Sequence, residues 1–218
     1  MVEKLFWTAP YLKDLETIVE SVNEDKIMLR QTIFFALSGG QESDNGTIGG
    51  YPVLEAKISG FDIEYLLPAD HQLKKGDHVQ IEIDWDRRYR LMRLHFAAEL
   101  ILELVYRELI GIEKIGAHIS EEKARLDFLW PKNISPCFSK LASQAQSIVD
   151  QDRKITSAYS DEVSQKRYWE IEGFARIPCG GTHLKRTGEV GQIRLKRNNI
   201  GKGKERIEVY VSIPFSCQ

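Results

Sequence analysis

From Asp86 to Ile110 the chain reads DRRYRLMRLHFAAELILELVYRELI, with no glycine or proline and a heavy load of Leu, Ala, Glu and Arg. Such a stretch predicts one long helix and excludes an all-β fold for the half of the chain that holds it. Leu91, Leu94, Ala98, Leu102 and Val105 recur at spacings of three and four, which predicts a core-facing stripe. Asp86 is the predicted N-cap, and Gly111 is placed to end the helix.

The sequence on the N-terminal side has a different character. From Leu5 to about Asp84, short apolar or alternating runs (KIMLRQTIFFAL, YPVLEAKIS, HVQIEID) are separated by turn-rich segments such as SGGQESDNGTIGG and HQLKKGD, the pattern of a small β domain. Ser38 to Gly50 reads as an exposed loop between strands. Beyond the helix, Lys114–Ser120 and Ala124–Trp130 read as strands, and Pro136–Asp150 as a second helix. Ile171–Ile177, VGQIRLKRN and RIEVYVSI read as further strands, with IPCGGTH between two of them. The fold class is therefore α+β, with domains over 1–86 and 87–218. With 218 residues, 42% hydrophobic and 28% charged, the chain can bury a real core, which excludes disordered and collagen-like readings.

The 30 Lys and Arg stand against 32 Asp and Glu, for a formal charge of -2, so nucleic-acid contact must come from a local patch. No secretory leader and no apolar run of the roughly 18 residues needed for a membrane span is visible, and a soluble, cytoplasmic protein is expected. Cys137, Cys179 and Cys217 are too few and odd in number for a disulfide framework.

Two local pairs carry chemistry: His95-x-x-x-Glu99 on the predicted helix and Cys179-x-x-x-His183 in the loop CGGTH. Residues four apart on a helix project from one face, so an imidazole and a carboxylate can meet one ion. Gly180 and Gly181 clear the loop so that Cys179 and His183 can point at the same place. Alone, the first pair is the common pattern of a surface hydrogen bond; together, the S, N and O donors of His95, Glu99, Cys179 and His183 suit zinc better than magnesium or calcium. A second feature is charge: Lys185, Arg186, Arg194, Lys196, Arg197, Lys202, Lys204 and Arg206 are opposed within their own segment only by Glu189 and Glu205. That segment can follow a phosphate backbone or form a solvated face. Arg87, Arg88, Arg90 and Arg93 form a second basic cluster just before His95.

The segments GGQESDNGTI, DWDRRYRLMRLH, IGAHIS, YWEIEGFARIPCGGTHLKRTGEVGQI and KRNNIGKGKERIEV resemble the alanyl-tRNA editing proteins of the AlaX type, medium-length class. These are free-standing relatives of the editing domain of alanyl-tRNA synthetase. The resemblance covers nearly the whole chain and implies a small β-barrel-like N-terminal domain followed by an α/β editing domain with a mainly antiparallel sheet. It also implies a zinc-dependent hydrolase that removes a wrong amino acid, chiefly serine with glycine second, from tRNA(Ala). The family's zinc motif is His-x-x-x-His plus Cys-x-x-x-His; His95, Cys179 and His183 match, and Glu99 stands where the second histidine would be. Glu99 is then either a substitute ligand or the general base for a water on a three-ligand zinc.

By the same resemblance, Gly39, Gly40 and Gln41 belong to a glycine-rich loop that faces the editing site, with Ser38 and Glu42 as departures from the family pattern. Thr182 is a candidate contact for a substrate hydroxyl, and Lys185, Arg186, Lys196, Arg197, Lys202 and Lys204 for the tRNA acceptor end. No GxxxxGK[ST] motif occurs and the length of 218 residues leaves little room for a separate aminoacylation domain, so ATP-driven tRNA charging is not expected. A rival class is a tRNA-binding accessory protein that keeps the editing fold after its metal chemistry has decayed at Glu99.

Overall fold

The computed structural model of the chain describes residues 1–212; Ile213 at the end of RIEVYVSI, and Cys217, lie outside them. The chain is a mixed α+β protein that divides into two compact units. One contains Met1–Ser38 and Glu42–Tyr89, and the other Gly39–Gln41 and the chain from Arg90 on.

The first unit is built on a seven-stranded antiparallel sheet. Asp14–Asn23 is its central strand: the first half pairs with His78–Ile83 and the second half with Lys26–Leu29. The sheet continues through Gly46–Ile48 to Tyr51–Pro52 on one side, and through Asp62–Leu66 to Glu55–Ser59 on the other. His78–Ile83 shows why these residues form strands: Val79, Ile81 and Ile83 point inward while His78, Gln80 and Glu82 face solvent. The sheet curls but keeps two free ends, a half-barrel in place of a closed one. Val19, Ile27, Leu29, Phe34, Phe35, Ile63, Tyr65 and Ile81 are buried on its inner side, each such side chain contributing about 1.5–3 kcal/mol of apolar transfer.

The segment from Ser38 to Gly50 is not the exposed loop its composition suggests. Gly46–Ile48 is a strand, and Gln41 and Asp44 are buried at 1% and 3% exposure. Burial of Asp44 is balanced by Arg88, whose side chain is also inaccessible. Arg88 Nε donates to Asp44 Oδ1 at 2.8 Å, and its Nη2 reaches Asp44 Oδ2 and donates to the Ile33 carbonyl at 2.6 Å.

The long helix spans Trp85–Glu108. Asp84, not Asp86, caps it: Asp84 Oδ1 accepts from the Arg87 N–H at 3.0 Å, while Asp86 occupies the first turn. In the second unit the helix is buried almost all round. Besides the predicted stripe, Met92, Phe96, Ala97, Leu100, Ile101 and Leu104 are buried, which marks a helix enclosed by protein. A four-stranded antiparallel sheet orders Glu113–Ile119, Ala124–Leu129, Lys204–Ser212 and Gln192–Gly201. A second helix, Phe138–Asp150, buries Leu141, Ala145, Ile148 and Val149 along one stripe.

A three-stranded antiparallel sheet holds Thr156–Asp161, Lys166–Ile171 and Ala175–Pro178. Ile171–Ile177 is thus a hairpin in place of one strand, broken at Gly173, which has a φ of 68°. Among the described residues no helix is long and apolar enough to cross a membrane.

Candidate metal centre

All parts of the site belong to the second unit. The long helix presents His95 and, one turn on, Glu99; the loop after Ala175–Pro178 presents Cys179 and His183. One donor atom each from His95, Cys179 and His183 lies within 4.8 Å of the other two. Cys179 Sγ is 3.4 Å from His95 Nε2, and the two imidazole rings are tilted with centroids 5.3 Å apart. The loop holds this shape because the Cys179 N–H donates to the Arg167 carbonyl at 2.9 Å. Gly181 leaves no room for a side chain, since a Cβ there would fall on Cε1 and Nδ1 of the His95 ring; Gly180 faces open space. Only one of the two loop glycines is therefore required by the packing.

The chemistry of these groups fits a soft or borderline cation. Burial, with Glu99 partly opposing it, lowers the pKa of His95; burial together with the charges of His95 and Arg167 holds His183 well below the usual imidazole range. Both shifts favour the neutral ring, the form with a lone pair to give. Ser157 Oγ lies 3.0 Å from His183 Nδ1, while His183 Nε2 is buried with no hydrogen-bond partner. A Nδ1–H donated to Ser157 would leave the Nε2 lone pair for an ion, the arrangement that outer hydroxyls and carbonyls impose on metal-bound histidines. Burial, followed by the nearby Glu99 charge, pushes the Cys179 thiol up to about 12. A cation must displace that proton, and S and N donors of this kind suit zinc.

Glu99 stands beside the cluster. Its Oε1 is 3.8 Å from His95 Nε2, and its Oε2 accepts from Trp169 Nε1 at 3.0 Å. Gln41 is joined to the loop of the second unit at two points: its Nε2 donates to Thr182 Oγ1 at 2.9 Å, and its Oε1 accepts from the Thr182 N–H at 3.3 Å. Both residues are buried. Gly40 lies against the strand Glu113–Ile119, with a φ of 89° and a Cβ position 2.7 Å from the Ala117 carbonyl oxygen, so no other residue fits there.

The basic segment is less free than its sequence suggests. Arg186 pairs with Asp152 at 2.6 Å, Arg197 with Glu205 at 2.6 Å, and Arg206 with Asp127 at 2.5 Å. Lys196 faces Glu208 across the strands. Three of these acids, Asp127, Asp152 and Glu208, come from outside the segment, where counting charge along it does not find them. Lys185, Lys196, Lys202 and Lys204 are exposed. Three of the four arginines at the helix start are engaged within the protein: Arg87 pairs with Glu42 at 2.7 Å, Arg88 is buried on Asp44, and Arg93 donates to the Val190 carbonyl at 2.8 Å, while Arg90 is exposed. Trp169, Ser157 and Arg167 were not singled out from sequence. The one signal available was Trp169 in an alternating strand, because a buried indole N–H needs an acceptor.

The fold and site define a two-unit α+β protein with a buried His–Cys–His cluster able to hold a metal ion. A family model described as the threonyl and alanyl tRNA synthetase second additional domain matches residues 167–208. The chain is 37% identical to "Alanyl-tRNA editing protein AlaX-M" of Pyrococcus horikoshii, over 97% of this chain and 98% of that protein. It is 32% identical to the protein of the same name from Methanosarcina acetivorans, over 95% of this chain and 98% of that one. It is also 32% identical to the alanine–tRNA ligase of Ignicoccus hospitalis, over 94% of this chain and 25% of the ligase. The chain belongs to the alanyl-tRNA editing proteins of the AlaX-M family.

Proposed function

We propose that the chain hydrolyses the ester of mischarged tRNA(Ala), chiefly seryl-tRNA(Ala) with glycyl-tRNA(Ala) second, through a zinc ion held by His95, Cys179 and His183. The observation that carries this reading is the convergence of two buried imidazoles and a half-buried thiol in one cluster. Bound zinc supplies Lewis acidity to water or to the ester carbonyl. Glu99, whose Oε1 faces the cluster, takes the proton of the attacking water. The water oxygen forms the new bond to the ester carbon, the bond from that carbon to the terminal ribose oxygen breaks, and that oxygen is protonated. The products are free amino acid and tRNA, and no ATP is consumed.

Gln41 and Thr182 hold the Cys-Gly-Gly-Thr-His loop in place, which makes them positioning residues for the aminoacyl pocket. The acceptor end of the tRNA meets the exposed lysines Lys185, Lys196, Lys202 and Lys204, with Arg186 and Arg197 flanking them in ion pairs. A cytoplasmic place of action follows from this substrate.

Deacylation of seryl-tRNA(Ala) by the purified protein tests the reading. Turnover is expected, abolished by a strong zinc chelator, restored by added zinc, and absent from Cys179→Ala. Zinc-loaded protein that binds the tRNA tightly without hydrolysing it would instead establish the accessory RNA-binding role. A second measurement follows the lysines. Replacing Lys202 and Lys204 together with alanine should lower the salt slope of tRNA binding by about 1.4–1.8, at roughly 0.7–0.9 per phosphate contact, with zinc content unchanged. An unaltered slope would remove the hairpin tip from the RNA interface.

A further inference from the structure

The His95-x-x-x-Glu99 spacing allows Glu99 to join the metal's ligands, yet the packing around its carboxylate points elsewhere. Among the described residues, the donors that lie within 4.8 Å of one another come from His95, Cys179 and His183, without Glu99. The carboxylate is held by Trp169 on the strand Lys166–Ile171, whose indole Nε1–H donates to Glu99 Oε2 at 3.0 Å. Trp169 is fully buried and packs edge-on against Phe96, with ring centroids 5.1 Å apart at 69°. It therefore cannot follow a carboxylate that swings toward the loop. The indole has a single donor, which is costly to leave unmade where the ring is buried. To enter that group of donors the carboxylate would have to move, and Trp169, fixed by its own packing, holds Oε2 where it is.

We infer that Trp169 is a positioning residue that fixes Glu99 outside the ligand set, so that this chain's site offers three protein ligands and keeps one metal position open. The inference rests on the metal reading above, and it gives the glutamate a purpose distinct from that of the histidine it replaces. A site closed by four protein ligands is the structural kind; three ligands with an open position is the catalytic kind. With one oxygen tied to Trp169, the other faces His95 Nε2 at 3.8 Å, and neither belongs to the group of three donors that lie together.

Metal uptake by the full chain tests this without tRNA. In chelator competition, Glu99→Gln should bind zinc within about tenfold of the unaltered protein, and its cobalt(II) spectrum should keep the same visible bands. Cys179→Ala should lose more than about 100-fold in affinity together with the sulfur-to-cobalt charge-transfer band. Trp169→Phe should shift the cobalt bands, because the released carboxylate joins the ion, and the shift should vanish in the Trp169→Phe/Glu99→Gln double variant. A merely structural role for Trp169 would give the same shift with or without Glu99.

Loss of zinc from Glu99→Gln on the scale of Cys179→Ala would make Glu99 a ligand and overturn the inference. So would a Trp169→Phe spectrum identical to that of the unaltered protein, or a shift that persists in the double variant. A chain that takes up no cobalt overturns the metal reading itself. Expected spectra without seryl-tRNA(Ala) turnover overturn only the deacylase reading.

Discussion

Asp44→Ala should lower the stability of the first unit by about 3–5 kcal/mol, the cost of leaving a buried charge without its partner. The side chains of Asp44 and Arg88 are both wholly inaccessible. The guanidinium also donates to the carbonyls of Ile33 and Pro10, so removing the carboxylate strips away its counter-charge but not its burial. The Phe35 N–H, which donates to Asp44 Oδ2 at 2.7 Å, loses its acceptor at the same time. Denaturant unfolding monitored by tryptophan fluorescence should show the loss. Asp44→Ala combined with Arg88→Met should recover much of it, because an apolar pair of similar volume removes the uncompensated charge. A single variant within about 1 kcal/mol of the unaltered protein, the worth of an exposed pair, would mean that the pair is hydrated in solution.

That pair also shows where sequence reading stops. The long helix was legible because its signal is local: no breaker, and apolar residues every third or fourth place. The candidate cluster was legible because each pair lies within one helical turn or one short loop, and three of the four named side chains do converge. Pairings between distant segments were not. Asp44 and Arg88 are far apart in the chain, as are Arg206 and Asp127, or Trp169 and Glu99, and each looks like an unrelated residue until folding brings the partners together. For that reason the basic segment reads as more cationic than it is, and the arginines at the helix start read as one basic cluster when Arg87, Arg88 and Arg93 each have a partner of their own. Asp84 and Asp86 are equally good caps by residue type; the strand that ends at Ile83 decides between them by leaving Asp84 as the first residue outside it. Similarly, no spacing rule distinguishes Gly180 from Gly181, because the distinction lies in which of them meets the His95 ring.

The two glycines provide the sharper test of the site. Gly181→Ala should weaken zinc binding by more than about 100-fold, equivalent to about 2.7 kcal/mol, and remove deacylation, whereas Gly180→Ala should change either by less than about threefold, as expected of a change that touches no ligand. A methyl group at 181 would overlap the His95 ring at Cε1 and Nδ1 and approach Gln41 Oε1 to 3.0 Å. The ring is buried in the middle of the long helix, so relief must come either from turning His95 away from Cys179 or from lifting the loop that carries Cys179 and His183. Either movement separates the donors. Overpacking of this kind costs about 1–3 kcal/mol, so the chain still folds, and zinc content and thermal unfolding can be measured on the same sample. A methyl group at 180 enters open space. If both variants held zinc equally well, His95 would not be fixed where the cluster needs it; if both lost it, the loop's flexibility, and not the ring contact, would be what the glycines supply.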